Sequence, residues 1–273
     1  MLQRRIFAVA VVLLCMATLM TGAWAQVSNN CSTLPTQAQL QSALISAVTT
    51  ETSGLNLNMW ATIVARDGTV CAVAFSGNAS DSQWLGSRVI SAQKANTANL
   101  FSLDKTSFSL TTQSGAKHGL ALSTANLFSA VQPGGSLFGL QESNPVDTGA
   151  AYGGSSSNYG TSSDPMVGHK IGGINVFGGG LALYSTGSAL VGGVGVSGDT
   201  SCADHMIGWR VRHNLGLDQM SGVGGVSGDS SRPDNIIYDI KDNPLGGTGR
   251  SAGGFGHPTC INTADPSTLP PVQ

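Results

Sequence analysis

Residues 178–199, GGGLALYSTGSALVGGVGVSGD, decide the fold. Two apolar runs, 181–184 and 189–196, flank the turn sequence STG, which is typical of a β-hairpin. Because so short a connection cannot cross over between parallel strands, the two strands are predicted to be antiparallel. The apolar run 174–177, which ends at the triple glycine, predicts a further strand beside them.

Helical and strand patterns continue on both sides of this hairpin. Thr36 and Gln39 form a capping box that opens a first helix, and the tight turn Arg66-Asp67-Gly68 lies between two apolar runs that predict a second hairpin. Since short connections make the strands antiparallel, helices must cover a face of one sheet, and the order predicts an α+β domain. The other predicted elements are helices over residues 85–100 and 202–215, short helices within 106–131 and a strand over 236–240.

The N-terminus has the pattern of a secretory signal. Arg4 and Arg5 precede an apolar run over residues 6–20, and Ala23-Trp24-Ala25 supplies small residues at the cleavage positions. A membrane anchor is the alternative, but the run is shorter than the ~20 residues that a spanning helix needs, and no later segment is apolar enough to span a bilayer. We therefore predict that residues 1–25 are a cleaved signal peptide and that the protein is periplasmic or secreted.

Four cysteines follow this segment, Cys31, Cys71, Cys202 and Cys260. An even number in an exported chain favours two disulfides, and no C-x-x-C spacing points to zinc or thioredoxin chemistry. The first helix and the strand after it run in opposite directions, which places Cys31 near Cys71, just after the hairpin turn. We predict the bridges Cys31–Cys71 and, by elimination, Cys202–Cys260, which is one of the three pairings that four cysteines allow.

Composition and missing motifs exclude several functions. The chain has 273 residues, a formal net charge of −2 and only 10% charged residues, so it lacks the basic excess of a nucleic-acid-binding protein. It has neither the G-x-S-x-G of a hydrolase nor the H-E-x-x-H of a zinc protease. The dinucleotide pattern Gly193-x-Gly195-x-x-Gly198 lies inside a predicted antiparallel strand, where close backbone approach is the better interpretation.

Three segments together resemble one known family. Residues 91–98, SAQKANTA, are similar to its K-A-x-T-A helix, and residues 178–183 to its G-G-x-P-[IL] turn. Residues 192–199, followed by Asp204, are similar to its G-x-x-G-V-S-G strand with a downstream acidic residue. Over residues 36–217 the chain thereby resembles the GlcG/HbpS-like family of haem-binding and haem-degrading proteins.

The resemblance implies a fold, an assembly and a ligand. It implies a profilin-like antiparallel sheet flanked by helices, a homo-oligomer, and binding of haem. On this basis residues 26–217 form a GlcG/HbpS-like domain. Residues 141–170, rich in Gly, Ser, Asn and Asp, are predicted as a loop insertion in that domain, and residues 218–273 as a Gly/Pro-rich C-terminal extension.

Haem binding requires apolar walls and an axial donor to the iron, which is commonly histidine. Among the five histidines we select His118, His169 and His205 as candidate iron ligands and do not separate them, with a hydroxyl or carboxylate donor as the alternative. Lys94 and Thr97 match the family helix and are candidate haem-binding residues, with helix packing as their alternative role.

The sequence therefore predicts an exported protein that binds haem or another tetrapyrrole, for sensing or storage of the ligand. One alternative is an enzyme that degrades haem oxidatively, and another is a sensor of a small metabolite without iron. No pair of carboxylates stands out as an acid and a base, so the sequence leaves open whether the protein is an enzyme.

Overall fold

The structure is a computed structural model that describes residues 30–79, 81–107, 109–112, 115–241, 243–244, 246–247 and 249–273, so the predicted signal peptide lies outside the described residues. Its helices are α1 (Gln37–Thr50), α2 (Ser87–Phe101), α3 (Thr148–Tyr152) and α4 (Ser201–Asn214). Its strands are β1 (Trp60–Ala65), β2 (Val70–Phe75), β3 (Ser109–Thr112), β4 (Gly115–Leu120), β5 (Gly180–Ser185), β6 (Ala189–Ser197), β7 (Val223–Gly224), β8 (Ile240–Lys241) and β9 (Arg250–Ser251).

The two predicted hairpins join in one four-stranded antiparallel sheet in the order β2-β1-β6-β5. Trp60 pairs with Phe75 within the first hairpin and with Ser197 across to the second, so the two hairpins are adjacent at their inner strands. The predicted α+β fold, an antiparallel sheet flanked by helices, is confirmed. The capping box of Thr36 and Gln39 at the start of α1 is confirmed as well.

Helices cover both faces of this sheet. Alternate residues of β1 point to opposite sides, so that Ile63 packs in a core with α1 and α4, whereas Val64 packs in a second core with α2. The glycines of β6 let α2 lie very close to the sheet, because a Cβ at Gly193 would clash with the carbonyl oxygen of Ala95 and one at Gly195 with that of Ser91. This close packing explains the glycine pattern that resembles a dinucleotide motif.

Both predicted disulfides are present. The Cα atoms of Cys31 and Cys71 are 5.2 Å apart, and those of Cys202 and Cys260 are 6.0 Å apart. The first bridge joins the chain ahead of α1 to β2, and the second joins α4 to the C-terminal segment, which we define as residues 218–273.

Two local predictions were wrong and a third was right only in part. Within residues 106–131 the strands β3 and β4 form a hairpin where short helices were predicted, because β4 pairs with β7 from the C-terminal segment. The predicted short helices are present further on, as 3-10 helices over Thr124–Leu127 and Ser129–Val131. Residues 174–177 form no strand, since Ile174 and Val176 are buried against the 3-10 helices of residues 124–131 and not aligned with the sheet. Within residues 236–240 only Ile240 belongs to a strand, β8, which pairs with β9.

Residues 141–170 and the C-terminal segment both pack against helices of the domain. Arg88 on α2 forms a buried ion pair with Asp164 and stacks over the Tyr159 ring at 3.6 Å. Trp209 on α4 donates a hydrogen bond to the Pro270 carbonyl oxygen at 2.9 Å. These contacts fix both segments onto the helical layers, and the Cys202–Cys260 bridge brings the C-terminal segment to the start of α4.

Candidate functional site

A cleft of about 700 Å³ lies where α2, the end of β6 and the start of α4 meet. This volume is within the range of ordinary small-molecule sites. Four separate stretches of the chain contribute to its wall, residues 84–94, 177, 197–204 and 259–261, and Trp84, Phe177 and residues 259–261 lie outside helices and strands. The lining residues are Trp84, Ile90, Lys94, Phe177, Ser197, Asp199, Thr200, Ser201, Asp204, Thr259, Cys260 and Ile261.

Three large apolar side chains form the rim of the cleft and are exposed to solvent. Trp84 is 55% exposed, Phe177 43% and Ile261 69%. Large apolar side chains are usually buried, and a group of them exposed around a concave surface is typical of a binding site for an apolar ligand. The rim therefore favours a ligand with a large flat or apolar body.

A buried ion pair forms part of the cleft wall. Lys94 Nζ lies 2.7 Å from Asp204 Oδ2 and donates a second hydrogen bond to the Val196 carbonyl oxygen at 3.1 Å. An ammonium group carries three donors, and one of them has no partner among the described residues. The glycine turn ahead of β5 makes room for the pair, since a Cβ at Gly179 would lie 3.1 Å from Lys94 Nζ.

Burial changes the acidity of both members of this pair. It lowers the pKa of Lys94, an effect that the nearby Asp204 carboxylate opposes. It raises the pKa of Asp204 to about 6, and here Lys94 acts in the opposite direction. Burial disfavours the charged form of each side chain, and the opposite charge of its partner stabilises that form. Removal of either partner would therefore leave the other charge buried and uncompensated.

Asp199 lies just ahead of α4, and its carboxylate accepts hydrogen bonds from backbone amides. Its carboxylate accepts hydrogen bonds from the amides of Leu55 and Leu57, each at 2.9 Å, and the next residue, Thr200, caps α4 by accepting from the Ala203 amide. The Asp199 amide donates to Asp204 Oδ1 at 3.0 Å. This network holds the Asp204 carboxylate toward Lys94.

The structure brings only one of the five sequence-predicted site residues into the cleft wall. Lys94 lines it, whereas Thr97 is buried one turn further along α2, where its hydroxyl donates to the Gln93 carbonyl and accepts from the Asn175 amide. His118 on β4 and His169 ahead of residue 170 are both exposed and lie outside the cleft wall. The remaining candidate, His205, follows Asp204 on α4 but is fully buried on another side of the helix.

His205 belongs to a buried polar cluster beneath the C-terminal segment. Its Nε2 lies 3.2 Å from Asn235 Oδ1 and accepts from the Ile236 amide at 3.1 Å, while Nδ1 has no partner among the described residues. Burial lowers the pKa of His205 to about 3. The ring is therefore neutral at neutral pH and already uses Nε2 within the fold.

This lowered pKa predicts a loss of stability in acid. Below about pH 6.5 His205 is protonated in the unfolded chain but stays neutral in the folded chain. The free energy of unfolding therefore falls by about 2 kcal/mol between about pH 7 and pH 5. Asp204, with its raised pKa, works in the opposite sense below about pH 6. Comparison with a His205→Gln variant isolates the histidine, since urea denaturation should show a shallower pH dependence in the variant. Equal pH slopes for the two chains would contradict this prediction.

The apolar rim is not predictable from the sequence, since Trp84, Phe177 and Ile261 are separated by long stretches of chain. Trp84 and Leu85 form an apolar pair ahead of the α2 capping region, but helix patterning assigns such residues to packing. Asp204 was noticed only as part of a motif. Its position in the first turn of α4 is the one sequence signal it carries. An acidic residue there is also explained by its favourable interaction with the helix N-terminus, so the signal alone does not indicate a binding site.

The fold and this cleft define an α+β protein with a site of small-molecule size. The chain belongs to the family described as haem degrading protein HbpS-like, whose family model matches residues 37–213. No curated protein sequence matches the chain.

Several solved structures are similar to the chain at low identity. The complex of PduOC with haem is 21% identical, with 65% of this chain and 89% of that chain covered and a TM-score of 0.40. Protein ORFY of Klebsiella pneumoniae is 23% identical, with 66% and 87% covered and a TM-score of 0.39. HbpS is 12% identical, with 70% and 94% covered and a TM-score of 0.38.

Proposed function

We propose that the protein is an exported binding protein for haem or a related tetrapyrrole, and that the cleft beside α4 is its site. The observation that carries this proposal is the exposed apolar rim of Trp84, Phe177 and Ile261 beside the buried Lys94–Asp204 pair. Membership of the HbpS-like family supports the choice of ligand class. A flat ring with acidic substituents matches an apolar rim next to a single lysine.

The cleft residues fit the ring of haem better than its iron. The rim supplies apolar contact, and the third donor of Lys94 suits a propionate carboxylate. Protein ligands of haem iron are histidine, cysteine thiolate, methionine and tyrosine, and none of these lines the described cleft, where Cys260 is held in a disulfide. The side-chain oxygen donors on the wall are four hydroxyls and two carboxylates, those of Ser197, Thr200, Ser201, Thr259, Asp199 and Asp204.

The histidines remain candidates for the axial position under this proposal. His118 and His169 are exposed, so each is free to reach a ring that is bound by a second copy of the chain in the proposed homo-oligomer. His205 would have to give up its contacts with Asn235 and Ile236. Single replacement of each histidine by Ala identifies the ligand, since the variant that lacks it loses the Soret spectrum of the bound form.

The disulfides are compatible with export. The chain forms two of them, and disulfides persist in oxidising compartments. From these bridges and the N-terminal sequence pattern we propose a periplasmic or secreted location, with residues 1–25 as the signal peptide. Among the described residues no helix has the length and apolar character needed to cross a bilayer.

Titration of the purified protein with haemin tests the proposed function. We expect a saturable Soret shift, and we expect Trp84→Ala and Phe177→Ala to weaken haemin binding by about tenfold each, because each removes an aromatic contact with the bound ring worth roughly 1–2 kcal/mol. Leu85→Ala and Phe138→Ala are matched controls, since both side chains are exposed and neither lines the cleft. Equal losses in the controls and the cleft variants, or no Soret shift, would refute the proposed site.

The same preparation distinguishes binding from degradation. Addition of ascorbate and oxygen to the haem-loaded protein leaves the Soret band intact if the protein only binds the ring. Loss of the band with appearance of a bile-pigment spectrum favours the oxidative enzyme instead. Absence of any haemin binding favours a sensor of another small molecule.

A further inference from the structure

The Cys202–Cys260 disulfide lies beside a buried histidine. A ring nitrogen of His257 and the two Sγ atoms all lie within 4.8 Å of one another. Cys202 and His257 are buried, and Cys260 is partly buried at the wall of the cleft. Two sulfurs and an imidazole at this separation are the donor types of a Cys₂His metal site.

His257 presents a nitrogen that the fold does not use. Its Nδ1 lies 2.7 Å from the Pro258 carbonyl oxygen, and because a carbonyl only accepts, Nδ1 carries the proton. The lone pair is therefore on Nε2, which has no partner among the described residues although the side chain is 1% exposed. An Nδ1–H bound to a backbone carbonyl is the usual arrangement behind a metal-ligating histidine.

The sulfur side of the cluster faces the start of α4. The Cys202 amide lies in the first turn of this 14-residue helix and donates to Cys260 Sγ at 3.2 Å. Amide donors and the helix dipole stabilise a thiolate over a thiol. The cluster therefore has the neighbours that thiolate ligands need once the bond between the sulfurs is broken.

We propose that reduction of the Cys202–Cys260 disulfide converts this corner into a Cys₂His site for a zinc-class divalent cation. A phosphine reductant breaks the bond between the sulfurs by supplying two electrons and takes the oxygen of one water molecule to become a phosphine oxide, while the two protons of that water complete the two thiols. The cation then displaces both thiol protons and binds two thiolates and one imidazole nitrogen, with a fourth position open to the cleft side. The oxidised chain holds the sulfurs bonded to each other, so the site exists only after reduction.

Zinc titration in the two redox states tests this inference. We expect the oxidised protein to bind no zinc at this site and the phosphine-reduced protein to bind one equivalent, with an affinity about tenfold or more weaker in His257→Ala. His169→Ala is the matched control, since it removes an exposed histidine and should leave the affinity unchanged. Equal zinc binding in both redox states, no binding after reduction, or normal affinity in His257→Ala overturns the proposal.

Alkylation of the cysteines gives a second test of zinc binding. It uses the unaltered chain, so a folding defect in a variant cannot affect the result. Zinc added to the reduced protein should protect Cys202 and Cys260 from iodoacetamide and leave Cys31 and Cys71 reactive, as read by peptide mass spectrometry. Protection of all four cysteines would mean binding to an unfolded chain and would overturn the inference, as would protection of none. Neither result depends on whether haemin binds the cleft.

Discussion

Replacement of Arg212 by Met is expected to lower the free energy of unfolding by about 3–5 kcal/mol, because it leaves the Asp234 carboxylate buried without a cation. Both side chains are fully buried. Arg212 Nη1 lies 2.6 Å from Asp234 Oδ2, and Nη2 lies 3.0 Å from Oδ1, so the pair is bidentate. The guanidinium also stacks over the Trp209 ring at 4.4 Å and donates to the Ala182 carbonyl oxygen.

Urea denaturation of three variants separates the pair from the packing around it. The double variant Arg212→Met/Asp234→Leu should recover more than half of the loss, since it removes both buried charges together. Lys170→Met is the control, because Lys170 pairs with Asp67 at the surface, where an ion pair contributes less than about 1 kcal/mol. A loss in Arg212→Met no larger than in this control would show that the buried pair contributes little.

The Arg212–Asp234 pair is a long-range contact of a kind that a single sequence does not predict. The central sheet was predictable because each of its hairpins is local: apolar runs of strand length flank a turn, and their pairing needs no distant partner. The hairpin of β3 and β4 was not predictable in this way, since β4 depends on β7. Most of the C-terminal segment is predicted as a loop, because its apolar residues show neither helical nor strand periodicity. Its place against α4 is fixed by the Asp234 pair and the Cys202–Cys260 bridge.

Of the candidate site, the sequence predicts the buried Lys94 but not the exposed apolar rim. Lys94 belongs to a motif on a regular helix, so the sequence marked it. The apolar rim comes from Trp84, Phe177 and Ile261, and each of these lies in a segment whose course is set by tertiary contacts. The histidines were chosen by residue type alone. Burial and hydrogen-bond partners separate His205 from the two exposed histidines, and a single sequence carries no direct signal for either.

Replacement of Lys94 by Met is the second change with a large expected effect. It removes the only cation in contact with Asp204 among the described residues and leaves that carboxyl almost fully out of water. We expect a loss of about 3–5 kcal/mol in the free energy of unfolding near neutral pH. Met is of similar length and apolar, so the loss reports the missing charge and not a cavity.

The size of this loss should depend on pH, and its direction follows from Asp204. Burial already raises the pKa of Asp204 to about 6 with Lys94 present, and loss of the ammonium raises it further. In the variant the folded chain therefore keeps a proton that the unfolded chain releases above about pH 4, so its stability falls as the pH rises, by up to about 1.4 kcal/mol per pH unit. Urea denaturation should show a smaller difference from the unaltered protein at about pH 5 than at about pH 8.

The double variant Lys94→Met/Asp204→Asn removes the titrating group and so separates stability from binding. We expect it to regain much of the lost stability and to lose the added pH dependence, because the buried carboxyl of Asp204 is no longer there to ionise. In that folded background haemin should still bind through the apolar rim, but more weakly, since the donor for its carboxylate is missing. A pH dependence equal in the single and double variants would assign the titration to another group. Unchanged haemin affinity in the double variant would remove Lys94 from the proposed site and leave the ring to the rim alone.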